Sequence, residues 1–343
     1  MQIIKGTNGF PYAWKAGRVE YLIRGILERK AQEQLSVDRV MIINPTWLQD
    51  KGIDEMINAA NPDFIICHNF VDPVIPRVHN SIVNSGRPHI IVGNTADYRI
   101  DFWAIVCDLY FKYYQEEELA LLPEAKPYIC LNRKPHPHRQ FLVEQLKQSG
   151  VFEQGWVSLG TPGAGAITVD NVFTEEQGIL DEYSSIGVDE RFVSNKIKND
   201  IFSVGNLDIW NRSHLCIVTE TDYLSPNLED FFISEKTWKP IIGLRPFYVY
   251  GQPGLRRYLK AQGFDVFEDI FDYSKIDAVD PALFFLFRDK TAQVAIDAIK
   301  SVKDPYKQYQ DLWMRCIANR RHFATHVQEQ WHRLHSLDLT QYV

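Results

Sequence analysis

The sequence predicts an α/β protein of two domains, each built on a Rossmann-like parallel sheet, and three observations support this prediction. Short apolar runs of strand length recur along the chain, and segments with helical spacing separate them. The runs are apolar throughout, which is typical of parallel strands that are covered on both faces. The chain has 343 residues, 45% of them hydrophobic, which is enough for two domains with a core each.

The first third of the chain predicts four strands with helices between them. Residues 3–4 predict a short first strand, and residues 19–27 carry apolar side chains at helical spacing. This order of strand and helix indicates βαβ units. The next predicted elements are a strand at 40–45, a helix at 53–60 and strands at 64–68 and 89–93.

The same alternation resumes after residue 126. Residues 140–149 have the apolar spacing of a helix, and Gly150 is suited to end it. Apolar runs on either side of this helix predict the strands of a second sheet. These strands are expected at 127–131, 156–159 and 215–218, and from Phe247 onward.

Two breaks in the pattern predict the domain boundaries. An acidic, proline-containing stretch at 116–126 interrupts the alternation, so we predict a first domain over 1–125 and a second over 126–304. Beyond Asp304, apolar side chains recur at steps of three, four and seven residues. They predict a long helix within 305–343, with its apolar stripe packed on a core.

Composition excludes several classes of protein. The net charge of −7 disfavours a general nucleic-acid binder, which needs a broad basic face. Five scattered cysteines suit buried thiols better than a disulfide framework or a zinc knuckle. No apolar run is long enough for a membrane span, and the N-terminus lacks the pattern of a signal peptide, so we expect a cytoplasmic protein.

The segment from Leu215 to Gly251 carries the strongest functional signal. An apolar run ends at Glu220, and after a polar loop Glu235 and Lys236 open a predicted helix that leads to the next strand. Ligands of open parallel sheets bind where strands end and helices begin. We therefore expect these three side chains to lie together, because carboxylates can accept from ribose hydroxyls and a lysine can bind phosphate.

A structural interpretation of the same segment stays open. In it, Ser234 caps an ordinary helix, and Glu235 is favoured in the first turn by the helix dipole. Thr237 belongs to the same turn and is counted with the candidate donor-binding residues.

The run Ile233-Ser234-Glu235-Lys236, preceded by a strand that ends in Glu220, resembles the donor-nucleotide motif of inverting GT-B glycosyltransferases. Among these it is most similar to the α-1,3-fucosyltransferases, although Thr221 stands where that family has Asn. The resemblance implies that Glu235 contacts the ribose and that Lys236 contacts phosphate. It also implies a GT-B fold, in which the last helix crosses back onto the first domain.

A basic loop follows the predicted strand 127–131. Arg133 and Arg139 supply planar donors that fit phosphate oxygens two at a time, and the N-terminus of the next helix adds free N–H groups. The resemblance implies that Arg133 binds the pyrophosphate, and Asn132 begins this candidate donor-binding loop. A solvated basic turn is the alternative.

The chemistry of sugar transfer requires positive groups that face the departing diphosphate. Arg133, Arg139 and Lys236 are the candidates. The sequence lacks the Asp-x-Asp signature of metal-dependent transferases, and His136 and His138 have no third ligand at a useful spacing. We therefore expect neither a metal ion nor another cofactor.

An inverting transferase also needs a general base that removes the proton of the acceptor hydroxyl. Candidates follow the strands of the first domain, and Asp97 is preferred because it lies in a loop directly at a strand end. Each of these side chains could instead cap a loop or be satisfied in the core. The four candidates are His68, Asp72, Asp97 and Asp101.

The sequence thus predicts a glycosyltransferase that moves a hexose or deoxyhexose from a nucleotide sugar to a hydroxyl acceptor such as a glycan. Two alternatives stay open. The enzyme could glycosylate modified bases in DNA, which the basic loop favours and which would give a steep salt dependence of duplex binding. The chain could also be a non-catalytic nucleotide- or sugar-binding module, which would not hydrolyse the donor.

Overall fold

The computed structural model describes most of the chain. The described residues are 1–5, 15–44, 52–69, 76–93, 98–111, 114–132, 135–160, 167–168, 204, 207–221, 223, 232–280 and 282–343. Within these ranges, no helix combines the length and the apolar character needed to cross a lipid bilayer.

The chain forms two compact units. The first unit comprises residues 1–106, 230–233 and 327–343, and the second comprises residues 107–229 and 234–326. Each unit contains one five-stranded sheet.

The sheet of the first unit is parallel, and its strands lie in chain order. The middle strands consist largely of apolar side chains. The pairing of the second and third strands begins with Val40 opposite Phe64, and that of the third and fourth begins with Ile65 opposite His89. The strands are β1 (Gln2–Lys5), β2 (Arg39–Ile43), β3 (Phe64–Asn69), β4 (His89–Gly93) and β5 (Tyr98–Arg99).

Helices connect these strands and cover their apolar side chains. Met41, Ile65 and Ile91 of neighbouring strands pack with Ile57 and Ile82 of two helices in one buried cluster. Burial of such side chains is the main stabilising contribution to the unit. The helices are α1 (Lys15–Gln34), α2 (Ile53–Ala60), α3 (Pro76–Asn84) and α4 (Phe102–Phe111).

The sheet of the second unit has the order β10-β9-β6-β7-β8, and all of its neighbours are parallel except the pair β7 and β8. Every residue of β9 is buried, as expected for a central strand covered on both faces. The strands are β6 (Lys126–Asn132), β7 (Gly155–Gly160), β8 (Ile167–Thr168), β9 (Ser213–Thr219) and β10 (Phe247–Tyr250).

Seven further α-helices follow α4 along the described chain, and two of them are the next α-helices after the central strands β6 and β9. These two are α5 (Pro137–Gln148), after β6, and α7 (Glu235–Ile242), between β9 and β10. The others are α6 (Leu207–Trp210), α8 (Leu255–Ala261), α9 (Ser274–Asp277), α10 (Phe284–Ser301) and α11 (Pro305–Ser336).

The strand order of the second sheet reverses between β6 and β9. From β6 the chain adds β7 and β8 on one side, and it then returns to add β9 and β10 on the other side. In an open parallel sheet such a reversal leaves a crevice at the carboxyl ends of the two strands. The described strands of the first sheet show no reversal.

The prediction of an α/β protein with two largely parallel sheets is confirmed, and the arrangement is consistent with two Rossmann-like domains. Helix α5 begins at Pro137, three residues before the predicted start, because proline suits the first turn. Helix α4 was not predicted, since its sequence is apolar on all sides and has no helical period.

Candidate functional site

The candidate donor-binding residues lie at the reversal of strand order in the second unit. Asn132 ends β6, and Glu220 directly follows β9. Helices α5 and α7 begin close to the same edge of the sheet, with His136 and Ser234 as their N-cap residues. Two strand ends and two helix starts thus lie at the position where open α/β sheets bind ligands.

Glu220 is fully buried, and its carboxylate accepts four hydrogen bonds. Oε1 accepts from the Ser234 amide at 3.1 Å and from the Thr237 hydroxyl at 2.6 Å. Oε2 accepts from the Ser234 hydroxyl at 2.6 Å and from the Thr221 amide at 3.0 Å. The predicted proximity of Glu220 to the start of α7 is therefore observed, and its carboxylate is occupied by the helix start itself.

Local sequence explains why α7 begins at Glu235. The hydroxyl of Ser234 accepts from the Lys236 amide at 3.3 Å, which satisfies one of the free N–H groups of the first turn. One turn on, Trp238 is buried against Phe264 and Phe323. This tryptophan therefore anchors the helix in the core.

Glu235 and Lys236 form an ion pair in the first turn of α7. Lys236 Nζ lies 2.6 Å from Glu235 Oε1 and 3.1 Å from the Thr221 hydroxyl. The Glu235 side chain is 5% exposed, whereas the Lys236 side chain is 27% exposed. Burial raises the pKa of Glu235, but the charges of Lys236 and Lys239, together with the hydrogen bonds from the Lys236 side chain and the Glu235 amide, leave that pKa below its usual value. The carboxylate is thus ionised at neutral pH.

Asn132 connects three strands at the floor of the site. Its side-chain amide donates to the Ser158 carbonyl at 3.0 Å, and its carbonyl accepts from the Thr219 hydroxyl at 2.5 Å. The Ser158 hydroxyl in turn accepts from the Asn132 amide of the main chain at 3.1 Å. Asn132 is fully buried, so it holds the ends of β6, β7 and β9 in register.

The first turn of α5 is fastened to the end of β9 by two side chains. Arg139 Nη2 donates to the carbonyls of Thr219 and Glu220, both at 3.2 Å. His138 Nε2 donates to the same Glu220 carbonyl at 2.9 Å, so Nε2 carries the proton of the neutral ring. Both side chains are buried. Phosphate binding by Arg139 stays a prediction, and the observed contacts give it a structural function.

A stack of aromatic rings extends from the start of α5. The His138 ring lies 5.8 Å from the His136 ring and 5.1 Å from the Tyr223 ring, with nearly parallel planes. Tyr223 in turn lies 4.9 Å from Tyr250 of β10. The sequence left the two histidines in a loop that could be a solvated basic turn, whereas His138 is packed inside this stack. Tyr223 was not singled out, because its packing depends on residues distant along the chain.

Two candidates for the general base are described in the first unit, and both are buried. His68 in β3 is 1% exposed, and burial, assisted by the charge of Arg24, lowers its pKa to about 3. Asp101 is buried and precedes α4, where its Oδ1 accepts from the Ala104 amide at 2.9 Å as an N-cap residue does. The remaining predicted site residues, Asp72, Asp97 and Arg133, lie outside the described ranges.

Comparison with known proteins adds no family assignment, since the sequence matches no protein-family model and no curated protein. In the part of the chain that the structure describes, no group of three or more His, Cys, Asp or Glu side chains is placed to hold a metal ion.

Proposed function

We propose that the protein is a nucleotide-sugar-dependent glycosyltransferase of the GT-B type that inverts the configuration of the transferred sugar. The proposal rests first on the resemblance of residues 233–236 to the donor motif of the α-1,3-fucosyltransferases. The single observation that carries it is the position of the Glu235–Lys236 pair, at a helix start beside the reversal of strand order.

The two residues of this pair suit the two parts of a nucleotide diphosphate. An ionised carboxylate accepts hydrogen bonds from the ribose hydroxyls, and Glu235 is kept ionised by its lysine neighbours. The ammonium group of Lys236 is partly exposed, so it can exchange Glu235 and Thr221 for a phosphate oxygen. The N-terminus of α7 adds positive potential to the same place.

Arg133 is the second residue proposed to bind the diphosphate. The guanidinium group binds two phosphate oxygens at once, and charge on these oxygens grows as the sugar departs. Donors that face this growing charge accelerate the transfer itself. Lys236 and Arg133 are thus the groups proposed to stabilise the leaving diphosphate, while the buried side chains of Asn132 and Arg139 fix the strand ends at the site.

Asp97 is the proposed general base for the acceptor hydroxyl, with Asp72 as the alternative. His68 is buried within β3, so its ring is closed to an acceptor, and Asp101 already caps a helix. The acceptor is proposed to be a glycan or another hydroxyl compound.

A binding screen followed by one substitution tests the proposal. Nucleotides and nucleotide sugars are compared by thermal shift, since a ligand at a hundred times its Kd adds roughly 2.7 kcal/mol to stability. The ligand that binds best is then titrated calorimetrically into Glu235→Ala and into Glu144→Ala, an exposed glutamate in α5. We expect Glu235→Ala to lose binding and Glu144→Ala to keep it. Equal affinities would leave Glu235 as an ordinary first-turn residue and contradict the proposal.

The chemical step is tested by donor hydrolysis in the presence of a chelator. With Arg133 and Lys236 as the groups that stabilise the leaving diphosphate, we expect slow hydrolysis to survive excess chelator. Loss of hydrolysis that Mn²⁺ or Mg²⁺ restores would mean that a metal ion performs this function. Nucleotide binding without any hydrolysis would favour the non-catalytic binding module.

A further inference from the structure

Glu220 connects both helix starts of the candidate site from one position. The four donors to its carboxylate include three groups from the first turn of α7, namely the Ser234 amide and the hydroxyls of Ser234 and Thr237. Its main-chain carbonyl accepts from His138 and Arg139 in the first turn of α5. A single residue thus contacts both elements that surround the reversal of strand order.

The carboxylate of Glu220 has no acceptor capacity left for a ligand. An ionised carboxyl group offers about four acceptor positions, and four donors lie between 2.6 and 3.1 Å from its two oxygens. The side chain is also fully buried. A ribose hydroxyl could reach it only by displacing the cap of α7, which would disorganise Glu235 and Lys236.

We propose that Glu220 is a positioning residue, which fixes the first turn of α7, and with it Glu235 and Lys236, relative to the first turn of α5. This inference rests on the proposed function, because it assigns Glu220 a part in donor binding without contact to the donor. Precise placement matters because contacts to phosphate and ribose depend on angle and distance, so a small rotation of α7 costs affinity.

The chemistry of the contacts explains why a glutamate is required. A glutamine would turn one oxygen into an NH₂ group, which would face the main-chain amide of either Ser234 or Thr221. Two donors facing each other cannot form a hydrogen bond. An aspartate lacks one methylene group and could not reach across to both Ser234 and Thr237.

Thr237 offers a milder test than Glu220 itself. Its hydroxyl is buried, and the contact that it donates at 2.6 Å goes to Glu220 Oε1. Thr237→Val keeps the shape but removes this donor, and Thr237→Ser keeps the donor. Ser213→Ala serves as the control, since Ser213 is equally buried at the opposite end of β9 and donates to the Ile209 carbonyl at 2.7 Å.

The experiment titrates uridine diphosphate and guanosine diphosphate into the full chain and its variants by calorimetry. We expect Glu220→Gln and Thr237→Val to weaken binding of the preferred nucleotide about tenfold or more, the scale of a lost hydrogen bond to a charged group. Thr237→Ser should bind within about twofold of the wild type. Ser213→Ala should lose stability but keep its affinity, which separates positioning from a general loss of stability.

The outcomes distinguish the inference from the proposed function. If Glu235→Ala loses binding while Glu220→Gln and Thr237→Val bind as tightly as the wild type, the positioning role is wrong and the proposed function stands. If the wild type binds neither a nucleoside diphosphate nor a nucleotide sugar, the proposed function is wrong and the inference falls with it. If Glu220→Gln does not fold, the comparison of Thr237→Val with Thr237→Ser decides alone.

Discussion

The Thr219 hydroxyl donates a hydrogen bond to the side-chain carbonyl of Asn132 at 2.5 Å, across the reversal of strand order in the second sheet. Both side chains are buried, and the amide group of Asn132 is directed to the Ser158 carbonyl. The residues in these polar contacts are close in space but far apart in the sequence. They fix the geometry on which the candidate site depends, and they are open to direct tests.

Asn132→Asp is expected to destabilise the protein most strongly at neutral pH. One carboxylate oxygen would still accept from Thr219, but the other would face the Ser158 carbonyl, which needs a donor. A buried, uncompensated charge costs about 3–5 kcal/mol. Its folded pKa would be raised, so stability would be kept at low pH and lost as the pH rises through that pKa. Urea unfolding at pH 4.5 and pH 7.5 would measure the difference, and equal losses would contradict the contact to Ser158.

Substitutions of Asp101 separate a helix cap from a general base. Because Asp101 accepts from the Ala104 amide at the start of α4, Asp101→Ala should cost about 1 kcal/mol of stability, whereas Asp101→Asn should cost only a few tenths. Chemical denaturation would measure both. If donor hydrolysis or transfer is detected, Asp101→Asn should retain it. A large loss of turnover in a stable Asp101→Asn variant would restore Asp101 as a candidate base.

His138 should make the stability of the second unit depend on pH. Burial lowers the pKa of His138 to about 4, although the bond to the Glu220 carbonyl opposes this shift. A histidine with a depressed folded pKa favours the folded state above its unfolded pKa near 6.5, and this stability is lost as the pH falls towards 4. His138→Gln should reduce the slope in this window by up to about 1.4 kcal/mol per pH unit.

Urea unfolding between pH 4 and pH 7 would measure this slope, and two comparisons sharpen the result. His332→Gln replaces an exposed histidine of α11 and serves as the control for the substitution itself. Burial also lowers the pKa of His214, in β9 of the same unit, to about 4, so part of the slope should remain in His138→Gln. An unaltered slope in His138→Gln would show that this ring is accessible to protons in the folded state.

The same substitution at two glycines should have opposite effects. A methyl group at Gly155, the first residue of β7, would lie 2.4 Å from the Tyr128 ring, whose hydroxyl is held by the Val151 carbonyl. Gly155→Ala should therefore destabilise the protein by about 1–3 kcal/mol. Gly25→Ala in the middle of α1 meets no atom within 4 Å and should stabilise by about 0.5–1 kcal/mol. Thermal unfolding of both variants checks the pair.

Local sequence determined much of the secondary structure. The apolar runs at 40–43, 64–68 and 215–218 became buried parallel strands, because a strand covered on both faces must be apolar throughout. Ser234 followed by Glu235 predicted a helix start, since a serine hydroxyl satisfies a free amide of the first turn. Asp101 is also a residue type that caps helices, and it directly precedes α4. It was interpreted as catalytic because the apolar sequence of α4 has no helical period and did not predict a helix.

The tertiary structure decided what the candidate side chains contact. The sequence grouped Glu220, Glu235 and Lys236 from their positions at a strand end and a helix start, and the structure brings them to one edge. Only the paired strands show that the Glu220 carboxylate is taken up by Ser234 and Thr237, because these bonds span more than a dozen residues of chain. The physical reason is that burial and partner choice depend on long-range packing, which a local pattern of apolar and polar residues does not encode.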